Sequence, residues 1–239
     1  MQHTIEPIGI LHSPFKQKFA IPRQSHALSV AKGSIKFAEN INIEQALDGI
    51  DAFSHLWLLF LFHENLAAGF TQKVRPPRLG GNKKIGVFAT RSTFRPNGIG
   101  MSLVQNLGVT NKCLQVGGID LLDQTPIVDI KPYLPYADVA AEATAGYAAT
   151  PPKHKLTVNY TETAALQALT FSAQHPDFMV LLSNILEQDP RPAYKQNNVD
   201  NKRYHIDLYN AQISFVVIDN GIEVFEIIPQ GHAAEPSVK

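Results

Sequence analysis

The sequence contains few residues that could crosslink the protein or anchor it in a membrane: it has one cysteine, one tryptophan and no long apolar run. The single cysteine, Cys113, excludes an intrachain disulfide and a thiolate metal cluster, and it favours a reducing compartment, the cytoplasm. The longest apolar run, Leu56 to Phe62, is far shorter than the roughly 20 residues that a membrane helix needs. The first residues contain no basic region followed by an apolar stretch, so we expect neither a secreted nor a membrane protein.

Acidic residues are also missing from one long stretch of the chain. Between Glu64 and Asp120 there is no acidic residue, but there are eight lysines and arginines. Residues 1–119 hold 13 basic and 6 acidic residues, and residues 120–239 hold 8 and 15, although the net charge is zero. A basic surface of this kind is typical of proteins that face a polyanion such as nucleic acid. Charges that only solvate loops on several faces would give the same counts, so composition leaves both readings open.

With 239 residues and 44% hydrophobic residues, the chain is long enough for one large domain or for an ordinary domain and a small one. The first half is typical of a β protein, because short β-type runs are broken by Gly, Pro and Asn. We predict a mainly β fold with an N-terminal barrel or sandwich. Strands are predicted at 5–13, 53–62, 84–91, 100–109, 112–120 and 126–133, with brief helices at 44–50 and near Ala67.

The composition changes beyond Pro135, where an Ala-, Thr- and Pro-rich stretch without periodicity indicates a linker. Helical spacing then returns at 161–174 and 177–187, and His175-Pro176 separates the two helices. Three β-type runs follow at 204–209, 212–219 and 223–228, which predicts a meander. We therefore expect a barrel domain at 1–138, a linker at 139–157, a small α+β domain at 158–230 and a flexible tail at 231–239.

Several common cofactor motifs are absent. The chain has neither a G-x-x-x-x-G-K-[ST] loop nor a G-x-G-x-x-G turn, so a nucleotide cofactor is not held by a P-loop or a Rossmann fingerprint. The pair His63-Glu64 has no second histidine four residues later, which excludes a zincin site. We expect no metal.

The densest motif is a run of arginines among glycines and prolines. RPPRLGG at 75–81 and GVFATRSTFRPNGIG at 86–100 place five glycines and four arginines within 26 residues. Such segments form rigid, turn-rich loops. The guanidinium groups of Arg75, Arg78, Arg91 and Arg95 can clamp a phosphate or carboxylate, or stack on a base. Alternatively, these arginines pair with carboxylates of the acidic half.

A second motif, DPRPAY at 189–194, follows the second predicted helix. The Asp189 carboxylate or a backbone carbonyl can accept a hydrogen from an exocyclic amine, while the ring of Tyr194 stacks on the base. Read alone, the hexapeptide is also a common turn that ends a helix.

Six segments together resemble the TsaA-like (YaeB-like) family of bacterial tRNA adenosine N6-methyltransferases, over nearly the whole chain. They are FAIPRQ, FSHLW, VRPPRLGG, GVFATRSTFRPNGIGMSL, DIKPYLPYAD and DPRPAY. The resemblance implies a β-barrel instead of a Rossmann methyltransferase fold, S-adenosylmethionine as cofactor and a homodimer. It implies that the substrate is threonylcarbamoyladenosine at position 37, in the anticodon loop of threonine tRNA, methylated on its exocyclic nitrogen.

We also predict a site, with the catalytic and substrate roles inferred from the chemistry of the residues and the cofactor contacts carried over from the resemblance position by position. Asp189 would orient or deprotonate the amine, and Tyr194 would stack on the base. Arg75, Arg78 and Arg95 would bind substrate, and Arg191 would clamp a phosphate or a substrate carboxylate. The cofactor contacts would be Pro22, Arg23, Gln24, His63, Glu64, Arg91, Met101, Leu121, Leu122, Asp123 and Gln124.

The sequence departs from the family pattern at Gly98, where FRPNPIG is usual and FRPNGIG stands here. Without that proline we expect a looser loop, by about 0.4–1 kcal/mol of unfolded-state entropy. Two other functions stay open: an RNA-binding adaptor that binds adenosylmethionine without turnover, and a methyltransferase that acts on a small molecule.

Overall fold

The computed structural model describes residues 4–22, 29–150, 156–191, 195, 199–200, 202–219 and 221–230. Its first half forms a closed barrel of six strands, and all neighbouring strands are antiparallel. The barrel strands are β1 (Gly9–His12), β2 (Lys32–Phe37), β3 (His55–Leu61), β6 (Ile99–Thr110), β7 (Cys113–Gly117) and β8 (Thr125–Pro132), and β4 (Lys73–Val74) pairs separately with β5 (Ile85–Gly86). Around the barrel the order is β1-β2-β7-β6-β3-β8. The predicted mainly β barrel fold is confirmed.

Alternating side chains fill the barrel. Along β3, Leu56, Leu58 and Phe60 are buried, whereas the residues between them are half-buried. This period of two places one set of side chains in the interior. The other strands add large buried residues at Leu11, Ile35, Val104, Leu114 and Ile127. The core of the barrel is therefore apolar, and polar residues that could bind a ligand are expected in the connections between the strands.

One barrel strand was not predicted. The sequence of β2, KGSIKF, has too few apolar residues to give a strand pattern, and Gly33 interrupts it. A Cβ at Gly33 would lie 2.7 Å from the carbonyl oxygen of His12 and 2.8 Å from Cδ1 of Ile119. The glycine thus permits a close approach between neighbouring chain segments.

The prediction of a strand over 84–91 is wrong for most of its length. Only Ile85–Gly86 is extended, and Val87–Ala89 forms a 3-10 turn. The hydroxyl of Thr90 donates to the carbonyl of Val87 at 2.7 Å and closes the turn. Local side-chain bonding of this kind competes with strand formation.

Helix is brief in the first half. α1 (Ile43–Ala46) begins after Asn42, whose side chain accepts a hydrogen bond from the backbone N–H of Gln45 at 3.2 Å. A 3-10 helix follows β3 at His63–Ala68, close to the predicted helix near Ala67, and α2 (Pro135–Asp138) follows β8.

The second half forms a four-stranded sheet packed against two helices. Its elements are β9 (Thr157–Tyr160), α3 (Glu162–Gln174), α4 (Phe178–Glu187), β10 (Arg203–Leu208), β11 (Ala211–Ile218) and β12 (Gly221–Pro229), with the sheet order β10-β11-β12-β9. The two helices and the β10-β11-β12 meander agree with the prediction. Residue 220, between β11 and β12, lies outside the described residues. The short strand β9, which runs parallel to β12, was not predicted.

Capping and a proline set the limits of the helices. The hydroxyl of Thr161 accepts from the backbone N–H of Ala164 and caps α3, and α3 ends before His175-Pro176. Phe171 and Phe178 stack across the break with ring centroids 5.3 Å apart. No helix among the described residues is long and apolar enough to span a membrane.

The segment after β1 joins the barrel to the sheet. Phe15 forms an antiparallel bridge with Leu208, and the backbone N–H of Tyr209 donates to the carbonyl of Pro14 at 2.8 Å. Phe15 and Leu208 are both fully buried. This contact fixes the start of the β1–β2 connection against the second half of the chain.

Candidate active site

The predicted site residues lie mainly at one end of the barrel. Leu11 pairs with Thr125, Leu61 with Ile99 and Lys32 with Gly117, so these strand ends meet. Three connections leave from that end: 13–31, 62–98 and 118–124. They contain all the predicted cofactor residues except Met101, and all the predicted substrate arginines except Arg191. No sequence pattern indicates that these three connections meet, because their meeting depends on the order of the strands in the barrel.

A cavity of about 560 Å³ opens between this end and the second half of the chain. Three segments form its walls: the β1–β2 connection, the first arginine loop and the end of α4. The lining residues are Lys18, Phe19, Ile21 and Pro22, then Arg75, Pro77, Gly80, Gly81 and Asn82, and finally Ile185, Gln188, Asp189, Pro190 and Arg191. Pro22, Arg75, Asp189 and Arg191 are thus brought together, although 167 positions separate the first from Asp189 in sequence number.

Asp189 and Arg191 form a buried ion pair on the cavity wall. Nε of Arg191 donates to Oδ1 of Asp189 and Nη2 donates to Oδ2, both at 2.8 Å. Asp189 follows α4 with φ of 49°, a left-handed conformation that Asp tolerates better than most residues. The hydrogen bond to Asp189 raises the pKa of Arg191, and burial opposes that effect. The pair is therefore a fixed, charged element of the wall.

This geometry differs from the predicted role of Arg191 as a clamp for phosphate or a substrate carboxylate. Its side chain is 1% exposed, and its guanidinium lies over the ring of Tyr204 at 5.8 Å as well as against Asp189. Oδ1 of Asp189 also accepts from the backbone N–H of Arg191 at 3.2 Å. Three N–H groups of Arg191 therefore hold Asp189, and the guanidinium is committed to that contact. Arg23, Gln24 and Tyr194 lie outside the described residues.

A second cavity, of about 890 Å³, adjoins the first and shares Arg75 and Pro77 with it. Residues 74–78, 88–93 and three residues of the linker line it. Arg78 donates to the carbonyls of Ala148 and Thr150, at 3.3 and 2.9 Å, so it ties the linker to the arginine loop. Arg75 and Arg91 are exposed, and within the described part of the chain neither has a hydrogen-bond or ion-pair partner.

The alternative that the arginines pair with the acidic half does not hold for the described residues. None of Arg75, Arg78, Arg91 and Arg95 forms an ion pair there. Arg95 instead donates to the carbonyl of Thr90 at 2.9 Å and lies over the ring of Phe88 at 5.7 Å. It stabilises the loop.

Two aromatic residues of these loops were missed in the sequence. Phe19 and Phe88 are 59% and 73% exposed, and each lines one of the two cavities. Both lie within the quoted motifs, FAIPRQ and GVFATRS, where an aromatic ring beside glycine, proline and arginine could have been recognised as a candidate stacking surface.

The turn 121–124 lies against the end of β1 in a third cavity, of about 430 Å³. Leu121 is buried in the core, and Leu122 is half-buried. Asp123 accepts from the backbone N–H of Ser13 at 2.9 Å and pairs with Lys16. Burial raises the pKa of Asp123, but the hydrogen bonds from Lys16 and Ser13 outweigh it and hold the pKa below its usual value. The side chain of Gln124 contacts Nδ1 of His12 at 3.0 Å.

The remaining predicted contacts lie on the outside. His63 and Glu64 follow β3, with Nε2 and Oε1 3.9 Å apart. Met101 is 57% exposed on the outward face of β6, opposite Leu59. The predicted cofactor residues therefore share one barrel end but do not line a single cavity of one chain.

Gly98 has a structural role that the sequence comparison with the family pattern did not indicate. Its φ is 59°, a conformation that proline cannot adopt, and its backbone N–H donates to the carbonyl of Arg95 at 3.2 Å. Its carbonyl accepts from the N–H of Phe62 at 2.7 Å. Glycine is the residue that this left-handed turn requires, so the expectation that the loop is merely loosened by a missing proline is wrong.

The 560 Å³ cavity is compatible with adenosylmethionine. Small-molecule sites occupy about 300–1,000 Å³, and this cavity falls within that range. Its wall contains a cation at Arg75, which has no partner among the described residues, and a buried carboxylate at Asp189. A Cβ at Gly80 or Gly81 would meet nothing within 4 Å, so the loop backbone there is open to a ligand. Within the described ranges, no group of three or more His, Cys, Asp and Glu residues could hold a metal.

Two family models match the chain: the tRNA-methyltransferase O N-terminal domain over residues 10–139, and the TrmO C-terminal domain over residues 153–230. The tRNA (adenine(37)-N6)-methyltransferase of Escherichia coli K12 is 44% identical over 229 residues, which cover 94% of this chain and 97% of that protein. A putative S-adenosylmethionine-dependent methyltransferase of Pseudomonas aeruginosa, RcsF, is 45% identical and covers 89% and 92%. The crystal structure of TrmO from Pseudomonas aeruginosa superposes with a TM-score of 0.81 at 36% identity, covering 95% of this chain and 99% of that one. This chain therefore belongs to the tRNA-methyltransferase O family.

Proposed function

We propose that this chain transfers a methyl group from S-adenosylmethionine to N6 of adenosine 37 in tRNA. Family membership over both halves of the chain supports the reaction. The observation that carries the proposal is the 560 Å³ cavity at the junction of the two halves, because both Arg75 and the buried carboxylate of Asp189 line it. Arg75, which has no partner among the described residues, is suited to an anionic group of the RNA, and Asp189 is suited to an exocyclic amine.

We further propose that the substrate adenosine already bears a threonylcarbamoyl group, in threonine tRNA. Such an adenosine carries a carboxylate of its own next to the amine nitrogen. Arg75 lines the same cavity as Asp189 and has no partner among the described residues, so it is suited to this carboxylate.

When bound, adenosylmethionine supplies an electrophilic methyl group on a sulfonium. Pro22 and the backbone of Gly80 and Gly81 would hold it in the cavity. The contacts predicted for Arg23, Gln24, His63, Glu64, Arg91, Met101 and 121–124 remain proposals. They require the binding site to extend along the same barrel end.

The chain's own residues orient the nucleophile. Asp189 accepts a hydrogen bond from the exocyclic amine and aligns its nitrogen, which is a positioning effect. Arg191 holds Asp189 through its two hydrogen bonds and acts as a positioning residue. Tyr194 would stack on the target base, and Arg78 and Arg95 support the loop that presents Arg75 to the RNA.

We also propose a homodimer that packs through the outward face of β3 and β6. Leu59, Leu61 and Leu103 are half-buried there and Met101 is exposed, so the face is apolar where a barrel in water would have polar residues. A cofactor contact at Met101 would then lie beside the partner. The proposed domain boundaries are 1–138 and 158–230, and the proposed compartment is the cytoplasm.

The test is nucleoside mass spectrometry of bulk bacterial tRNA incubated with the protein and methyl-labelled adenosylmethionine. Label in N6-methylated threonylcarbamoyladenosine is the expected result. Asp189→Asn should lower turnover, whereas the control Asp129→Asn should not, because that carboxylate lies on β8, lines none of the cavities described above, and pairs with Lys131 and the backbone N–H of Ile130. Label in unsubstituted adenosine would refute the threonylcarbamoyl requirement. No label, with cofactor binding intact by calorimetry, would indicate an adaptor.

A further inference from the structure

Phe88 presents an apolar ring on a rigid turn. The ring is 73% exposed, the largest exposed fraction among the described phenylalanines. Its turn, Val87–Ala89, is closed by the backbone N–H and the hydroxyl of Thr90, which donate to the carbonyl of Val87 at 3.1 and 2.7 Å. The ring is therefore held in place by its backbone while its surface remains in solvent.

Arg95 supports this ring. Its guanidinium carbon lies 5.7 Å from the ring centroid, and Nη1 donates to the carbonyl of Thr90 at 2.9 Å. The same guanidinium thus contacts both the ring and the turn that bears it. A cation–π contact of this kind stabilises the position of the ring, and aromatic rings accompanied by arginine are the surfaces on which unpaired bases stack.

The cavity beside the ring is lined by positively charged residues, as is typical of an RNA-binding site. None of the residues that line its 890 Å³ is acidic, and Arg75 and Arg91 lie on its wall without ion-pair partners in the described ranges. Tyr147 of the linker donates to the carbonyl of Ala89 at 3.3 Å, so the linker closes one side. An apolar protein segment would bury these cations without compensation, whereas a nucleotide offers both a flat ring and a phosphate.

We propose that Phe88 is a stacking platform for an unpaired RNA base next to the target adenosine, with a phosphate of that nucleotide on Arg75. The RNA partner rests on the proposed function. The neighbouring position follows from Arg75, which lines both this cavity and the one that contains Asp189. A base bound on Phe88 therefore lies beside the base presented to Asp189.

The experiment measures binding of a fluorescein-labelled anticodon stem-loop RNA by fluorescence anisotropy, across a series of salt concentrations. Loss of one base–aromatic stack weakens binding about 5-fold to 150-fold, so Phe88→Ala should fall in that range and Phe88→Trp should bind at least as well as the wild type. Phe70→Ala is the matched control, because Phe70 is an exposed phenylalanine of the same connection that lines neither cavity.

The salt series separates stacking from charge. Phe88→Ala removes no phosphate contact, so its plot of log K against log salt should keep the wild-type slope, whereas Arg75→Ala should reduce the slope by about one phosphate contact. RNA with 2-aminopurine on either side of adenosine 37 adds a direct readout, because stacking on Phe88 should quench its fluorescence and Phe88→Ala should restore it.

Three results would overturn the platform. Wild-type RNA affinity in Phe88→Ala, with methyl transfer intact, would refute the platform and leave the proposed function standing. Absence of RNA binding and of methyl transfer in the wild-type protein would refute both. Wild-type RNA affinity together with a lighter species in sedimentation would assign the ring to a contact between two copies of this chain.

Discussion

Replacing Gly98 by proline, the residue that the family pattern has here, should destabilise this protein. Gly98 closes the long connection that contains all four loop arginines, through its hydrogen bonds to Phe62 and Arg95. Its φ of 59° lies on the opposite side of zero from the value near −65° that a proline ring imposes. Proline would also remove the N–H that donates to Arg95. The turn would have to rearrange.

The magnitudes follow from the backbone. Gly98→Ala would add about 1–2 kcal/mol of left-handed strain. Its Cβ would meet Cδ2 of Leu66 at 2.5 Å, but Leu66 is an exposed side chain that can move away. Gly98→Pro should lose about 3 kcal/mol or more. For a chain of this size each kcal/mol lowers Tm by about 2–4 °C, so the proline variant should melt at least about 6 °C lower.

The assay is thermal and denaturant unfolding, with RNA binding measured on the folded protein. Gly86→Ala is the control in the same connection, because Gly86 has φ of −59° and open space around its Cβ position. This variant should be neutral or stabilised by about 0.4–1 kcal/mol. A Gly98→Pro protein that melts higher than the wild type and binds RNA equally well would refute the left-handed turn.

Three further changes have expected outcomes. Arg191→Leu leaves the buried Asp189 carboxylate without its counter-ion and should lower the free energy of unfolding by about 3–5 kcal/mol, with partial recovery in Arg191→Lys; an unchanged denaturant midpoint would contradict the buried pair. Because the pKa of Asp123 is lower in the folded state, its contribution to stability is complete above its unfolded value of about 4 and is lost as pH falls through the folded value. Asp123→Asn should therefore flatten the acid side of the stability–pH profile, and an identical profile would count against the Lys16 pair. Met101→Asp on the outward apolar face should give a monomer in sedimentation velocity, and a retained dimer would place the interface elsewhere.

Local pattern was sufficient to predict most of the fold. The strand 55–61 alternates buried and half-buried residues over its full length, 99–110 alternates over its first half, and α4 places its buried apolar residues on one face. The failures have local causes. Gly33 removes a side chain where two segments approach closely, and the hydroxyl of Thr90 bends a run that composition alone identifies as a strand.

The candidate site was predicted as a set of residues, but not as an arrangement. Arginine content and the DPRPAY motif pointed to Arg75 and Asp189, whereas the pairing of Asp189 with Arg191 depends on burial and on a left-handed turn that no spacing indicates. The exposure of Phe88 was likewise hard to predict from the sequence, because an aromatic residue beside valine in a β-type run is expected to be buried.

The interior of the barrel is too well filled to hold a ligand, and this explains where the site lies. Its interior is filled by leucine, isoleucine and valine side chains, so ligands can bind only at the connections. Long connections in a folded domain commonly bear function, and the connection 62–98 lies at the end that the second half covers. The bridge between Phe15 and Leu208 fixes that second half against the barrel. Arg75 from one half and Asp189 from the other then line the same cavity. The strand order and the packing of the two halves, not the sequence separation, determine which residues meet.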